Sequence, residues 1–473
     1  MGVFALAFGL QTSPAFAGRI EAGTFTAHDT LGTNQTPDFV AFQQPFDVPP
    51  IVIVISNSNG GQSASVRITN ITTAGFDELI LEPDGWDGRH LAMVTQYIAV
   101  EPGRHVLPDG TIIEAGRNSV SAVQFGTGFT GGTASWGSIN FSSPLPSTPT
   151  VIHQLQTANS ETRNVAQVTS RPHITSIAQN PTATGFQVAL ERSQANSGPF
   201  PVAEDVGWIA FPQGGTGSFP DINGTTINWS AVTSGFFLRG WDEGCQSTGI
   251  GLTATTPVAV AKKLSRNNSD GGWLRNCAVG SNSTTLRVDE DTDQDGERSI
   301  AAGDAERVGI IAFSQAFHAN LAASLGITKL RTSTDDGNGG DFATPDAVVT
   351  YQITVTNSGN APPNLGSVIV TEELPAELDF VVTDFSGPGS GPVAFSNGSP
   401  TTGMTCTFIS LASTTDCISF SQDGSDYSYV PSDSGDGTDP NVRFVRIQPS
   451  GFMNGNTGSG APRFTLNLRA RVQ

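Results

Sequence analysis

The sequence predicts an all-β protein built from tandem antiparallel β-sandwiches, and three observations carry that expectation. Charged residues make up only 14% of the 473, against about 25% in an average globular chain, while Gly (54) and Pro (29) are plentiful. The apolar runs are written in Thr, Val, Ile and Phe, with no sustained 3.6-residue period of the kind a long amphipathic helix needs. Finally, the chain repeats one pattern three times, and a repeat reveals architecture before any single motif does.

Each copy has an apolar strand opened by proline, a Thr-rich turn into a second strand, and a strand ending in Ile-Ala. The first reads PPIVIVI from Pro49, ITTAGFDELILE from Ile71 and TQYIAV from Thr95. The second reads TPTVIHQL from Thr148, NPTATGFQVALE from Asn180 and EDVGWIAF from Glu204. The third reads TPVAVAKKL from Thr256, SNSTTLRVDED from Ser281 and ERVGIIAF from Glu306. Aligning Gly75 with Gly185 and Thr285, and Ala99 with Ala210 and Ala312, gives turn-to-end spacings of 24, 25 and 27 residues. We therefore expect three small β-units at 18–117, 118–217 and 218–325. The polar tail of the first contains Asp109-Gly110, a pair suited to the positive φ angles of a tight hairpin turn. The glycine-rich stretch from Gly214 reads as a linker or surface loop.

Residues 326–473 have another character. Val349, Tyr351, Ile353 and Val355 alternate with Thr350, Gln352, Thr354 and Thr356, which describes a half-buried strand. Phe464, Leu466, Leu468, Ala470 and Val472 alternate in the same way. Short strands punctuated by Gly, Pro, Asn and Asp predict an immunoglobulin-like sandwich. Lys329 and Asn467 sit on strands that a covalent side-chain crosslink could join, although Asn467 shares its face with Thr465, Arg469 and Arg471, which should meet water.

The N-terminal run VFALAFGL, followed by Ala15-Phe16-Ala17 as a small-x-small cleavage site, predicts a signal peptide at 1–17, although a basic start is missing. A secreted or cell-surface bacterial protein is the expectation. No other run approaches the roughly 18 apolar residues of a membrane-spanning helix. A formal net charge of −20, with Lys262, Lys263 and Lys329 as the three lysines, argues against nucleic acid as a partner. Four cysteines in an exported chain predict two bridges, Cys245–Cys277 and Cys406–Cys417. Each would contribute roughly 3 kcal/mol. A zinc site is the alternative, but no histidine lies near either pair.

The run FVAFQQPFDVPPIVIVI, with VRITNITTAGF and MVTQYIAV, resembles the H-type lectin family. The match covers most of the first unit, weakens in the second and is partial in the third. That resemblance implies a small antiparallel sandwich, assembly as trimers or hexamers, and binding of galactose-type sugars near subunit contacts. Three such units in one chain suggest a single-chain pseudo-trimer. The segment VTYQITVTNSG with LPAELDF and the terminal FTLNLRARV looks like a widespread sandwich domain of bacterial and archaeal surface proteins, which implies a spacer.

A sugar site needs a polar fork for hydroxyls and an aromatic face. The loop EPDGWDGRHLAM offers Asp84, Trp86, Asp87 and His90, and Arg67 matches an arginine position of the lectin family, which places part of its site on this loop. An Asp/Gly turn carrying a surface tryptophan is the alternative. The other units do not repeat the loop. Asp291, Asp293 and Asp295, with Asp289 and Glu297 adding charge, have the alternate-oxygen spacing of a structural calcium loop. Ala302 stands where an EF-hand has its bidentate glutamate, and a solvated acidic loop is the alternative. Gly126, Gly128 and Gly131 match a dinucleotide fingerprint in spacing, but the strand-like GTASWGSINFSS follows where a helix is required. The histidines, His28, His90, His105, His153, His173 and His318, are scattered and assemble no triad by spacing. The sequence therefore predicts a non-catalytic, adhesin-like glycan binder, the alternative being a self-associating subunit of an extracellular fibre or biofilm matrix.

Overall fold

The computed structural model describes residues 18–28, 37–82, 90–126, 132–160, 173–192, 201–292 and 296–473, together with the backbone of 8–11. Among these, helix is confined to short 3-10 turns such as Trp241–Glu243, and strands form antiparallel sheets almost throughout. Two compact units result. One holds Gly18–Val106 and Thr111–Asn320; the other holds Leu321–Gln473 with Phe8–Gln11 and Leu107–Gly110.

The three repeats build the first unit, and each forms a two-sheet sandwich. One of its sheets has four strands in a fixed order: a lead-in strand, a first strand, a last strand and the proline-opened inner strand. In the second sandwich these are Gly103–Val106, Ile112–Val120, Glu204–Pro212 and Pro149–Leu155. In the third they are Thr216–Pro220, Thr226–Thr233, Val308–Phe313 and Val258–Lys263. In the first they are Phe317–Leu321, Gly18–Ala27, Met93–Val100 and Ile51–Ser56. The lead-in strand of the first sandwich thus comes from the end of the third, and the three close into a ring. The expected joint at 117/118 falls inside Ile112–Val120, and the Asp109-Gly110 hairpin (Gly110 φ +85°) connects two strands of the second sandwich.

Local chemistry explains why the copies fold alike. Thr72 Oγ1 donates to Gly75 O (2.9 Å) and accepts from Ala74 N; Thr182 Oγ1 does the same for Gly185 O (3.0 Å) and Thr184 N. These turns then receive Phe42 N on Ala74 O and Phe141 N on Thr184 O, both at 3.0 Å. A Cβ on Gly75 would lie 2.2 Å from Val40 O, and one on Gly185 2.1 Å from Ile139 O, so the backbones approach too closely for any side chain. The third sandwich corrects our alignment. Gly280 N donates to Ser283 O as Thr72 N does to Gly75 O, and Ser283 pairs with Gly249 as Gly75 pairs with Ala41. Ser283, not Thr285, occupies the turn position, opposite Gly249, where a Cβ would meet nothing nearer than 3.9 Å.

Buried glutamates fasten the loops. Glu204 accepts from Thr157 Oγ1, Asn159 N and Ser160 N, and Glu306 accepts from Ser265 Oγ, Asn267 N and Asn268 N. On the first strands, Glu114 takes Ser142 N (2.7 Å) and Arg104 Nη1 (3.2 Å). Glu21 takes Gln43 N (3.0 Å), the Tyr97 hydroxyl (2.5 Å) and His318 Nδ1 (2.7 Å), tying the incoming Phe317–Leu321 strand to the first sandwich. Two residues on, glycine lets an aromatic lie across the strand: Gly23 under Tyr97 and Gly116 under Trp208.

The second unit is a further sandwich. One sheet runs Leu325–Asp335, Val348–Asn357, Arg463–Val472, Leu378–Val381 and Thr438–Asp439; the other runs Phe8–Gln11, Ile369–Glu373, Phe444–Ile447 and Ile418–Ser421. Ile353, Val355, Phe464, Leu466 and Leu468 share its core with Phe380 and Phe420, as the alternation predicted. Part of the run expected as a leader, Phe8–Gln11, supplies an edge strand antiparallel to Ile369–Glu373. Lys329 pairs with Glu372, while Asn467, on the opposite face, accepts from Gln352, so those two residues do not meet. Both predicted disulfides are present: Cys245–Cys277 with Cα atoms 6.3 Å apart, and Cys406–Cys417 with 5.3 Å.

Candidate functional site

The three inner strands pack against one another at the centre of the ring, and each also lies against the last strand of the next sandwich. Val52 and Val54 belong to the core of the first sandwich and Val151 and Leu155 to that of the second. Their alternate neighbours must therefore leave by the other face. Ile53, Ile152 and Val260 occupy equivalent positions and are fully buried, forming an apolar layer among the inner strands. One step along, the equivalent positions carry Ile55, Gln154 and Lys262. Two seams are read by glutamine: Gln156 accepts from Val52 N (3.1 Å) and donates to Val52 O (2.8 Å), and Gln96 accepts from Ala259 N (2.9 Å). At the third, a Cβ on Gly309 would sit 2.7 Å from Val151 O, so glycine permits the contact.

Below the apolar layer lies a cavity of about 40 Å³ walled by all three sandwiches. Ser56 and Arg67 come from the first, Gln154 and Thr175 from the second, Lys262 and Trp273 from the third. Gln154 accepts from Lys262 Nζ (2.5 Å) and donates to Val66 O (3.1 Å), so one side chain links all three. Burial pulls the Lys262 ammonium down to about 7. His153, also on the wall, is held near 3 by burial and is neutral at pH 7. Its Nε2 meets Lys263 O (2.9 Å), which can only accept, so Nε2 carries the proton and Nδ1 accepts from the Ser176 hydroxyl (2.8 Å). With both nitrogens engaged, this imidazole is a structural bridge. Lys263 points away from the cavity into Glu191 (3.5 Å) and Glu306 (3.6 Å).

The expected sugar residues are dispersed or lie beyond description. Arg67 is buried at the seam between the first and second sandwiches, donating to Ile174 O (2.7 Å). His90 is buried too, its Nδ1 2.8 Å from Leu91 O and its ring against Gly60. Asp84, Trp86 and Asp87 lie outside the described residues, as do Asp293 and Asp295 of the acidic loop and Gly128 and Gly131 of the glycine motif. Asp289 is fully buried and accepts from Arg275 (3.0 Å) and Arg298 (3.1 Å), so its charge is already countered. Asp291 is buried, and Glu297 caps Ser299 N (2.9 Å). Among the described residues, no group of three or more His, Cys, Asp or Glu side chains converges as metal ligands would.

Sequence reasoning missed a cluster of arginines about one tryptophan in the third sandwich. The guanidinium groups of Arg287, Arg298 and Arg275 stand 3.1, 4.3 and 5.1 Å from the centre of the Trp241 ring. Trp241 and the arginines are distant in sequence, and no spacing announces them. Comparison with protein-family models, curated proteins and solved structures finds no match to this chain.

Proposed function

We propose that the protein is an exported, non-catalytic glycan-binding protein of adhesin type, in which a three-sandwich head presents loop sites and the C-terminal sandwich serves as spacer. The observation that carries this reading is the closure of three sandwiches around shared inner strands within one chain. The lectins that the first repeat resembles pack in threes and bind galactose-type sugars near subunit contacts. This head achieves by covalent repetition what those proteins achieve by assembly. The 83–90 loop of the first sandwich, with Asp84, Trp86 and Asp87, supplies the proposed contacts. Weak sites in one chain gain affinity through effective concentration. Two disulfides suit an oxidising exterior.

One observation favours a second reading. Phe8–Gln11 covers the edge of Ile369–Glu373, so removal of a leader at Ala17 would open that edge to strand addition by another chain. A self-associating matrix subunit would follow.

A glycan array probed with the whole protein separates the two. We expect galactose-type ligands, lost in a Trp86→Ala, Asp87→Ala double variant that melts like the wild type. An array without binding, alongside polymers of the leader-free protein in light scattering, would replace the first reading with the second.

A further inference from the structure

We propose that the cavity at the centre of the ring is a binding site for a small inorganic anion, a halide, which joins the three sandwiches. Three features of the wall lead there. First, its charge is one-sided among the described residues: Lys262 lines it, no described carboxylate does, and Lys263 is neutralised outward by Glu191 and Glu306. Second, its donors are unspent. Lys262 Nζ has three protons and one described acceptor, the neutral amide oxygen of Gln154. The Thr175 Oγ1 atom is buried with no hydrogen-bond partner, and the buried Ser56 brings a further hydroxyl from the first sandwich. Ammonium and hydroxyl groups converging from three sandwiches form a donor set for a single acceptor-only body. Third, the size fits. A cavity of about 40 Å³ holds from about one to three water-sized bodies and excludes a sugar ring.

The electrostatics run the same way. Desolvation without a counter-charge disfavours a cation and pulls Lys262 down to about 7, so an anion beside its Nζ would favour the charged form. The apolar walls supplied by Ile55 and Leu274 make the charge–charge attraction stronger than it would be in water.

The site is tested on the full chain in two ways. Crystals soaked in sodium bromide are expected to show an anomalous peak within hydrogen-bonding distance of Lys262 Nζ. Bromide confined to the protein surface, with ordinary water in the cavity, would overturn the proposal. In solution, melting in sodium chloride and in sodium gluconate at equal ionic strength should differ, with a saturable rise in Tm in chloride. That difference should vanish in Lys262→Met, and in Lys262→Gln if the methionine variant does not fold. Equal melting of the wild type in both salts, or a chloride effect that survives loss of the ammonium, would also overturn it.

Discussion

At the scale of single residues, the fold rests on a few positions where one atom decides. Gly185 is the clearest, since its backbone approaches Ile139 O too closely for a Cβ. Gly185→Ala is expected to cost about 1–3 kcal/mol through forced separation of the strands; urea unfolding measures it, and an unchanged midpoint would show that the strands have room. Glu78 gives a second test. Burial, with Asp38 across the strand, raises its carboxyl to about 8 against a partial offset from the His28 amide. Its folded pKa exceeds its unfolded one, so between pH 4.5 and 8 the native state holds the extra proton and stability falls as pH rises. Glu78→Gln should flatten that slope, at about 1.4 kcal/mol per pH unit across the window. Parallel pH profiles for wild type and variant would contradict it. Of such residues, the sequence showed Gly75 and Gly185 because glycine at a repeated turn is conspicuous. It hid Ser283, because in the third copy that turn position, paired with Gly249, carries no glycine.

At the scale of elements, alternation and punctuation were legible and partnership was not. The Val349–Val355 and Phe464–Val472 patterns predicted half-buried strands, and those strands pair in register, Ile353 opposite Leu466. Proline before each inner strand marked its start, and the continuous apolar run marked burial on both faces. What could not be read was that the inner strands face one another, since Ile53, Ile152 and Val260 lie about a hundred residues apart. The Ile-Glu-Ala-Gly repeat at Ile20 and Ile113 was present in the sequence as a signal for the first strands. Its glutamates look like surface charge until Tyr97, Arg104 and His318 are seen to converge on them. Likewise Asp289 has the sequence spacing of a calcium ligand, but its partners Arg275 and Arg298 were visible only in the fold.

At the scale of the whole molecule, the account depends on the ring: three sandwiches in series become one body because the last strand in the series returns to the first. Tandem beads would expose the inner strands, and Ile53, Ile152 and Val260 would then form an apolar surface in water; the ring buries them. The glycan reading rests on that closure, and the central anion site uses residues from all three sandwiches. Hydrogen exchange on the intact chain tests it most directly. The account predicts that Phe317–Leu321 and Gly18–Ala27 exchange as slowly as the inner strand Ile51–Ser56, and that Glu21→Gln speeds exchange in Phe317–Leu321 and Gly18–Ala27 together. Exchange of Phe317–Leu321 at the rate of an open loop, with Gly18–Ala27 still protected, would contradict it.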